Sequence, residues 1–440
     1  MAASVTARER ASFWSAFVGW IFDYYDVTLL ALLEVPISRT FGLSTGQIGE
    51  TISVQLGALA VGGVVFGLLA DKVGRRPVLL ATVVIYCAAN LARAFSPDYV
   101  WLLAWTAVAG LGLGGEYGVG QTLVSEMSRP HRRGLLSGFL YGGSFVGSMI
   151  ASLIVSYAVP EIGWRAAFGV SAAPVVIAIY IRMRTPESEA WAAKSRSAAR
   201  LQWGQILAPS FIKPFFMCLF AAILQFFAYY GITSLLPTYL VKTAHFSISG
   251  ASWWYFFTAV AGLVGCAVGA YTMDRWGRRV TLSYLTATAA VAGIVLYALG
   301  RQLSASVLIL ILFFFLYFGS NGGTVFGALF SEMFPTELRS TGVSSALQIA
   351  RGLAFIPPLV TAALLPRFGY GLVILIGACE FLVLAAWAWV FKETKGVRIA
   401  EIDEKLADDD AGRTPQAISA LSPGSPGASG QETGNREELS

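Results

Sequence analysis

Long apolar stretches, each of about twenty residues or more, follow one another along almost the whole chain and are separated by short polar breaks. Such a stretch, wound at about 1.5 Å per residue, crosses the roughly 30 Å hydrocarbon layer of a bilayer. Inside lipid every backbone group needs a partner within the chain, so these stretches predict helices. We read twelve spans, at about 13–34, 50–71, 77–95, 100–127, 134–158, 164–183, 212–240, 250–273, 279–300, 304–331, 340–365 and 370–391. Longer polar breaks divide the chain into a polar N-terminus (1–12), a six-span half (13–183), a charged linker (184–211), a second six-span half (212–391) and a tail (392–440). The tail becomes rich in Gly, Ser and Pro and cannot bury a core, so it is expected to be disordered. The pattern predicts an all-α polytopic membrane protein.

Composition agrees with that pattern. Of 440 residues 56% are hydrophobic and only 13% charged, and mean hydropathy is +0.64. The net charge of +5 invites a nucleic-acid partner, but its distribution points to topology instead. Of the 31 Lys and Arg, only Arg39, Arg165, Lys242, Arg301 and Arg367 fall in predicted outer loops, and Arg93 and Arg351 lie within spans. The rest are on the side of the termini, which the positive-inside bias makes cytoplasmic. The polar first twelve residues and the lack of a small-residue cleavage site argue against a cleavable signal peptide. Cys87, Cys218, Cys266 and Cys379 are scattered through apolar segments, and His131 and His245 fall in loops, so no metal site is expected. With no nucleophile motif or nucleotide loop either, neither an enzyme nor a bound cofactor is indicated.

The halves repeat one another. Gly67-x-x-x-Asp71-Lys72-x-Gly74-Arg75-Arg76 follows span two, and Ala270-x-x-x-Asp274-Arg275-x-Gly277-Arg278-Arg279 follows span eight, 203 residues later. Ser125-Glu126-Met127 closes span four and Ser331-Glu332-Met333 closes span ten, 206 residues later, and Arg133 and Arg339 share that offset. A duplicated six-span unit is the mark of a carrier with its site between two bundles. The paired acidic Gly-Arg-Arg loops and the twelve spans resemble the major facilitator superfamily over about residues 13–400. Gly19-Trp20-x-x-Asp23-x-x-Asp26, Gly115-Glu116-Tyr117-Gly118 and Pro186-Glu187-Ser188-x-x-Trp191 resemble more narrowly the bacterial proton symporters for organic acids, of the sialate and lactate type. The aromatic-acid branch is a neighbour, but it usually carries Asp-Gly-x-Asp in span one, where this chain has Asp23-Tyr24-Tyr25-Asp26.

Two carboxylates in the middle of span one are the candidate chemistry. Charge at that depth costs a few kcal/mol or more and is kept for a protein interior, a water-filled cavity or an ion path. Asp23 and Asp26, three apart, share one helix face. Two acids so close do not both ionise easily, which suits a carrier whose protonation changes through its cycle. Glu116 in span four either joins them as a proton acceptor or is a permanently hydrogen-bonded acid tying spans one and four. In span eleven Ser344, Gln348, Arg351 and Phe355 form one helical stripe. Arg351, a planar fork of donors, is the candidate for recognising a substrate anion, with Gln348 beside it; the alternative is an internal ion pair with Asp23, Asp26 or Glu116. Tyr117, Gln121, Gln225, Tyr229 and Asn321 are candidate cavity-lining residues, each with packing as the rival role. Arg93 either attracts anions or snorkels toward the outer interface.

Asp71, at the inner end of span two, is placed to cap a helix N-terminus. The resemblance implies that this helix is span eleven and that the contact keeps the cytoplasmic side shut. Arg75 and Arg76 would pair with Asp71 or Glu126; Asp274, Arg278, Arg279 and Glu332 would be their second-half counterparts, with Arg133 and Arg339 completing the gate. Span five has Gly138, Gly142, Gly143 and Gly147 but no following Pro, unlike the exporter type of this superfamily. The expectation is therefore a monomeric, proton-coupled importer of a small organic acid in a bacterial-type inner membrane. An aromatic-acid or other metabolite carrier, an exporter and a non-transporting sensor are the alternatives.

Overall fold

The structure, a computed structural model, describes residues 2–155, 159–172, 185–195, 209–233, 248–299 and 307–399, with 180, 183, 401 and 404 besides. Most of the linker and the tail beyond 404 lie outside the described residues. The described chain is helical. In the first half the helices are α1 (Ala2–Phe41), α2 (Thr45–Val73), α3 (Arg75–Ala94), α4 (Tyr99–Met127), α5 (Arg133–Leu153) and α6 (Val159–Ala172). A short linker helix, α7 (Glu189–Ser195), precedes the second half. There follow α8 (Pro209–Thr233), α9 (Ile248–Trp276), α10 (Arg278–Leu299), α11 (Val307–Gly319), α12 (Gly323–Ser331), α13 (Arg339–Gly352) and α14 (Ile356–Trp387). Among the described residues, eight helical segments are long and apolar enough to cross a membrane.

Local sequence sets the helix ends. Ser44 opens α2 with a capping box: its hydroxyl accepts from the Gln47 amide while the Gln47 side chain accepts from the Ser44 amide. Asp98 caps α4 by accepting from the Trp101 amide at 2.8 Å. The turns α2–α3 and α9–α10 are a single residue long, and Gly74 (φ 110°) and Gly277 (φ 99°) adopt a backbone that other residues avoid. The predicted spans ten and eleven are each broken. Span ten divides at Ser320–Gly322, where the Asn321 amide group donates to the Tyr317 carbonyl at 2.8 Å. Span eleven runs from α13 through a 3₁₀ turn (Leu353–Phe355) into α14, which reverses at Gly369 (φ 72°) to become span twelve.

The two sets of six spans form two bundles, and the duplication extends to the backbone. Gly163, between spans five and six, has φ 75° and stands 206 residues before Gly369. The bundles meet along α2 against α13 and along α5 against α9, with α4 also touching α13. A methyl group at Gly118 of α4 would overlap the Ser344 side chain and backbone of α13, so glycine sets how closely the halves approach there. Outward faces carry exposed Val61, Val65, Phe220, Val268, Leu382 and Val383, the apolar surface that lipid covers.

Candidate functional site

Asp23 and Asp26 are both wholly buried near the middle of α1, and each meets its own arginine. Arg351 of α13 donates through two nitrogens to the two Asp23 oxygens, at 3.0 and 3.1 Å. This fork-to-fork pair joins the two halves. Arg93 of α3 donates to both Asp26 oxygens, at 2.8 and 3.0 Å, and to the Asn90 side chain, while Gln55 of α2 donates to Asp26 at 3.2 Å. That second pair lies entirely inside the first half. Arg93 is fully buried with its guanidinium 4.7 Å from the Phe168 ring centre, so it neither snorkels nor stands open to passing anions. Separate cations thus face the two aspartates.

Aromatic side chains surround the cross-half pair. The Arg351 guanidinium lies 4.6 Å from the Tyr24 ring centre and 5.3 Å from that of Trp20. Trp20 stacks on Tyr117 at 4.0 Å. Beside them a cavity of about 30 Å³ is bounded by Tyr24, Tyr141, Phe226 and Tyr229, with Ser144, Phe145 and Ser148. That is room for one or two waters and too small for an organic acid.

The remaining sequence candidates go different ways. The Gln348 amide donates to the Gly114 carbonyl at 2.9 Å, which places it across the junction of the halves, one turn from Arg351. Glu116 accepts from Thr82 at 2.6 Å and ties α4 to α3. Gln121 exchanges two hydrogen bonds with Ser137 of α5, which occupy both ends of its amide. Gln225 donates to the Ser320 carbonyl at 2.6 Å, and its own carbonyl oxygen is buried without a partner among the described residues. Tyr229 reaches the cavity; Asn321 serves the break between α11 and α12.

At the end of the bundles that carries the α2–α3 and α9–α10 turns the charged residues form two crossed networks between the halves. Asp71 accepts from the Ser340 amide (3.1 Å), the Thr341 amide (2.7 Å) and the Thr341 hydroxyl (2.7 Å), capping α13 in the other half. Its counterpart Asp274 accepts from the Gly134 and Leu135 amides (2.9 and 2.8 Å) at the start of α5. Glu126 binds Arg75 of its own half through two bonds and Arg339 of the other at 2.9 Å. Glu332 repeats this with Arg278 of its own half and Arg133 of the other, the latter at 2.7 Å. Arg75 also pairs with Asp71, and Arg278 with Asp274, both at 3.2 Å. The guanidinium groups of Arg76 and Arg279 point elsewhere, to the Met183 and Trp389 carbonyls.

Sequence reading gave no structural role to several members of this layer, Glu187 among them although it stands in a quoted motif. Glu187 caps α3 by accepting from the Arg75 and Arg76 amides, and Glu393 caps α10 by accepting from those of Arg278 and Arg279. The two glutamates stand 206 residues apart, so the repeat already held the signal. Thr394 adds a hydroxyl bond to Glu332, and Arg133 also donates to the Val397 carbonyl. The first residues of the tail are therefore part of this charged layer. Trp20, Tyr24 and Tyr141 were passed over because rings at spanning depth are common filler; what distinguishes the first two is their position beneath Arg351.

Paired six-helix bundles, ion pairs buried within the spans and a charged layer repeated in both halves are the architecture of a membrane carrier. Residues 15–357 match the model of the Major Facilitator Superfamily, and the chain belongs to that family. It is 30% identical over 387 residues to the putative niacin/nicotinamide transporter NiaP of Bacillus subtilis, covering 86% of this chain and 94% of that one. It is 27% identical over 429 residues to the probable 4-methylmuconolactone transporter of Cupriavidus pinatubonensis, covering 94% and 98%. Among solved structures, that of the proton:xylose symporter XylE bound to 6-bromo-6-deoxy-D-glucose superposes with a TM-score of 0.77 at 18% identity, over 91% of this chain and 99% of that one, a likeness of fold.

Proposed function

We propose that this carrier takes up a small organic anion together with protons, by alternating access of its two bundles. Its setting would be a bacterial-type inner membrane with both termini in the cytoplasm. The observation that carries the reading is the buried Asp23–Arg351 pair, which spans the two halves. Separating such a pair leaves two uncompensated charges in a poor solvent for them, at about 3–5 kcal/mol when one partner is removed. A proton taken up by Asp23 cancels one charge and frees the guanidinium, and a substrate carboxylate cancels the other. Proton and anion thus enter as a matched pair, and rocking becomes favourable when both are bound. Asp26 and Glu116, buried nearby, complete the candidate proton path, and Gln348 orients the anion. The relatives named for niacin and for a methylmuconolactone support a small organic metabolite as cargo.

A monocarboxylate moving with one proton carries no net charge, and each further proton adds about 2.3 kcal/mol of drive per 100 mV. The test is uptake into proteoliposomes under an imposed pH gradient. Asp23→Asn is expected to abolish accumulation while leaving exchange of substrate across the membrane, and Arg351→Ala to abolish substrate binding. Normal accumulation in Asp23→Asn, or an unchanged apparent affinity in Arg351→Ala, would refute the assignment. The same assay on Asp26→Asn decides whether the second aspartate also carries a coupling proton.

A further inference from the structure

We propose that the second half binds the phosphate of an anionic phospholipid on its outward face at the α9–α10 turn. Arg275, Arg279 and Lys395 would hold the phosphate, between the indoles of Trp276 and Trp389.

The arginines between the halves, Arg75, Arg133, Arg278 and Arg339, each pair with a carboxylate. Among the described residues Arg275, Arg279 and Lys395 form no ion pair. The Arg275 guanidinium donates to the Tyr271 hydroxyl at 3.0 Å, that of Arg279 to the Trp389 carbonyl at 3.0 Å, and the Lys395 ammonium to the Arg275 carbonyl at 2.7 Å. Neutral acceptors leave all three charges uncompensated. Glu393, the acid beside them, accepts from the backbone amides of Arg278, Arg279, Thr394 and Lys395, at 3.0–3.1 Å. Those bonds hold the turn and the start of the tail side by side, which brings the three cations together.

The duplicated halves supply the comparison. At the repeat offsets of 203 and 206, Arg275, Arg279 and Lys395 correspond to Lys72, Arg76 and Glu189, so the first half has an acid where the second has its third cation. Trp276 and Trp389 correspond to Val73 and Met183. Topology and the contacts between halves ask the same of both units, so neither accounts for cations and indoles gathered at one of them. α9 ends at Trp276 and α14 at Trp387, which puts the patch at the membrane boundary. Trp276 meets Tyr284 of α10 edge-on at 5.6 Å, and the Trp389 indole donates to the Ser283 hydroxyl at 3.2 Å. Ser283 and Tyr284 are successive residues, about 100° apart around the helix. The two exposed indoles therefore flank one strip of α10, with exposed Val280 one turn away. The Arg279 guanidinium lies 4.8 Å from the Trp389 ring centre, and its Nε is buried with no partner among the described residues. Indoles favour the level of the headgroups, and unpaired cations there attract anionic lipid.

The experiment adds dioleoylphosphatidylglycerol or dioleoylphosphatidylcholine to the purified full chain in nonionic detergent and counts bound lipids by native mass spectrometry. The parent is expected to retain a phosphatidylglycerol roughly tenfold or more tightly than a phosphatidylcholine. Lys395→Glu places the first half's residue at this exposed position and should weaken that retention roughly tenfold to thirtyfold, about fivefold for each unit of charge. Adding Arg275→Lys, Trp276→Val and Trp389→Met, the first half's residues at the repeated positions, should remove the preference. Lys72→Glu alters net charge equally in the other half and should leave it unchanged. A parent with no preference for phosphatidylglycerol overturns the proposal. So does equal weakening by Lys395→Glu and Lys72→Glu, which marks a general attraction to the surface. Displacement of the lipid by an equal concentration of inorganic phosphate overturns it too, in favour of a free anion.

Discussion

Replacing Arg133 by Gln isolates the strength of one cytoplasmic lock. Arg133 reaches Glu332 of the other half at 2.7 Å, and Glu332 keeps Arg278 and Thr394 when it is gone, so no buried carboxylate is stranded. What is lost between the halves is the charge-assisted hydrogen bond to Glu332, worth about 1.5–3 kcal/mol, together with the weaker bond to the Val397 carbonyl. Against that stands the relief of no longer burying the guanidinium, which is 1% exposed when the gate is shut. A net shift of about 1–2 kcal/mol toward the cytoplasm-open form corresponds to roughly five- to thirtyfold in the equilibrium. The readout is a single cysteine at Ser340, a fully buried position on α13 whose hydroxyl has no partner among the described residues, in a chain with the four native cysteines replaced. In inside-out vesicles a membrane-impermeant maleimide should label it faster, by about the same factor, when Arg133→Gln is added. The conservative Arg133→Lys should lie between. Labelling at the parent rate in Arg133→Gln, or slower labelling, would refute the idea that this contact holds the halves shut.

Two further outcomes follow from the same end of the molecule and from the helix junction above it. Asp71→Asn keeps the shape but removes the charge that caps α13, and faster maleimide labelling with impaired net uptake is expected; parent behaviour in both assays would count against gating. Gly118→Ala forces α4 and α13 apart where they touch most closely, so it should disfavour the closed cytoplasmic side and slow turnover without changing the amount of folded protein. If size-exclusion profiles and turnover are both unchanged, the approach at Gly118 is not limiting.

Much of the architecture was legible because lipid allows few solutions. Twelve apolar stretches, a basic bias to one side and a repeat at 203–206 residues lead to paired helical bundles without knowledge of any contact. The helix breaks near Asn321 and at residues 353–355 were not legible, since both lie inside apolar runs and arise from packing between helices. At the site, residue type and depth located Asp23, Asp26 and Arg351, but not who pairs with whom. Spacing along α1 puts the two aspartates on one face; only tertiary structure sends one to α13 and the other to α3. Arg93 was undervalued for the same reason. Near a helix end, a long cation reads as an interfacial residue until a buried acid is found beside it. Gln121 stood out by its depth alone, and its two hydrogen bonds with Ser137 of the next helix could not be read from the sequence.

Asp26 and Arg93 belong to the same bundle and travel together whichever way that bundle tilts. Their opposite charges therefore move through the electric field of the membrane side by side, and the voltage does no net work on them. When Asp23 and Arg351 are joined, the same cancellation holds for that pair. So far as these two pairs set the moving charge, the return of the empty carrier is indifferent to membrane potential. Any voltage dependence would then be a signature of the cargo, a count of protons in excess of negative charges.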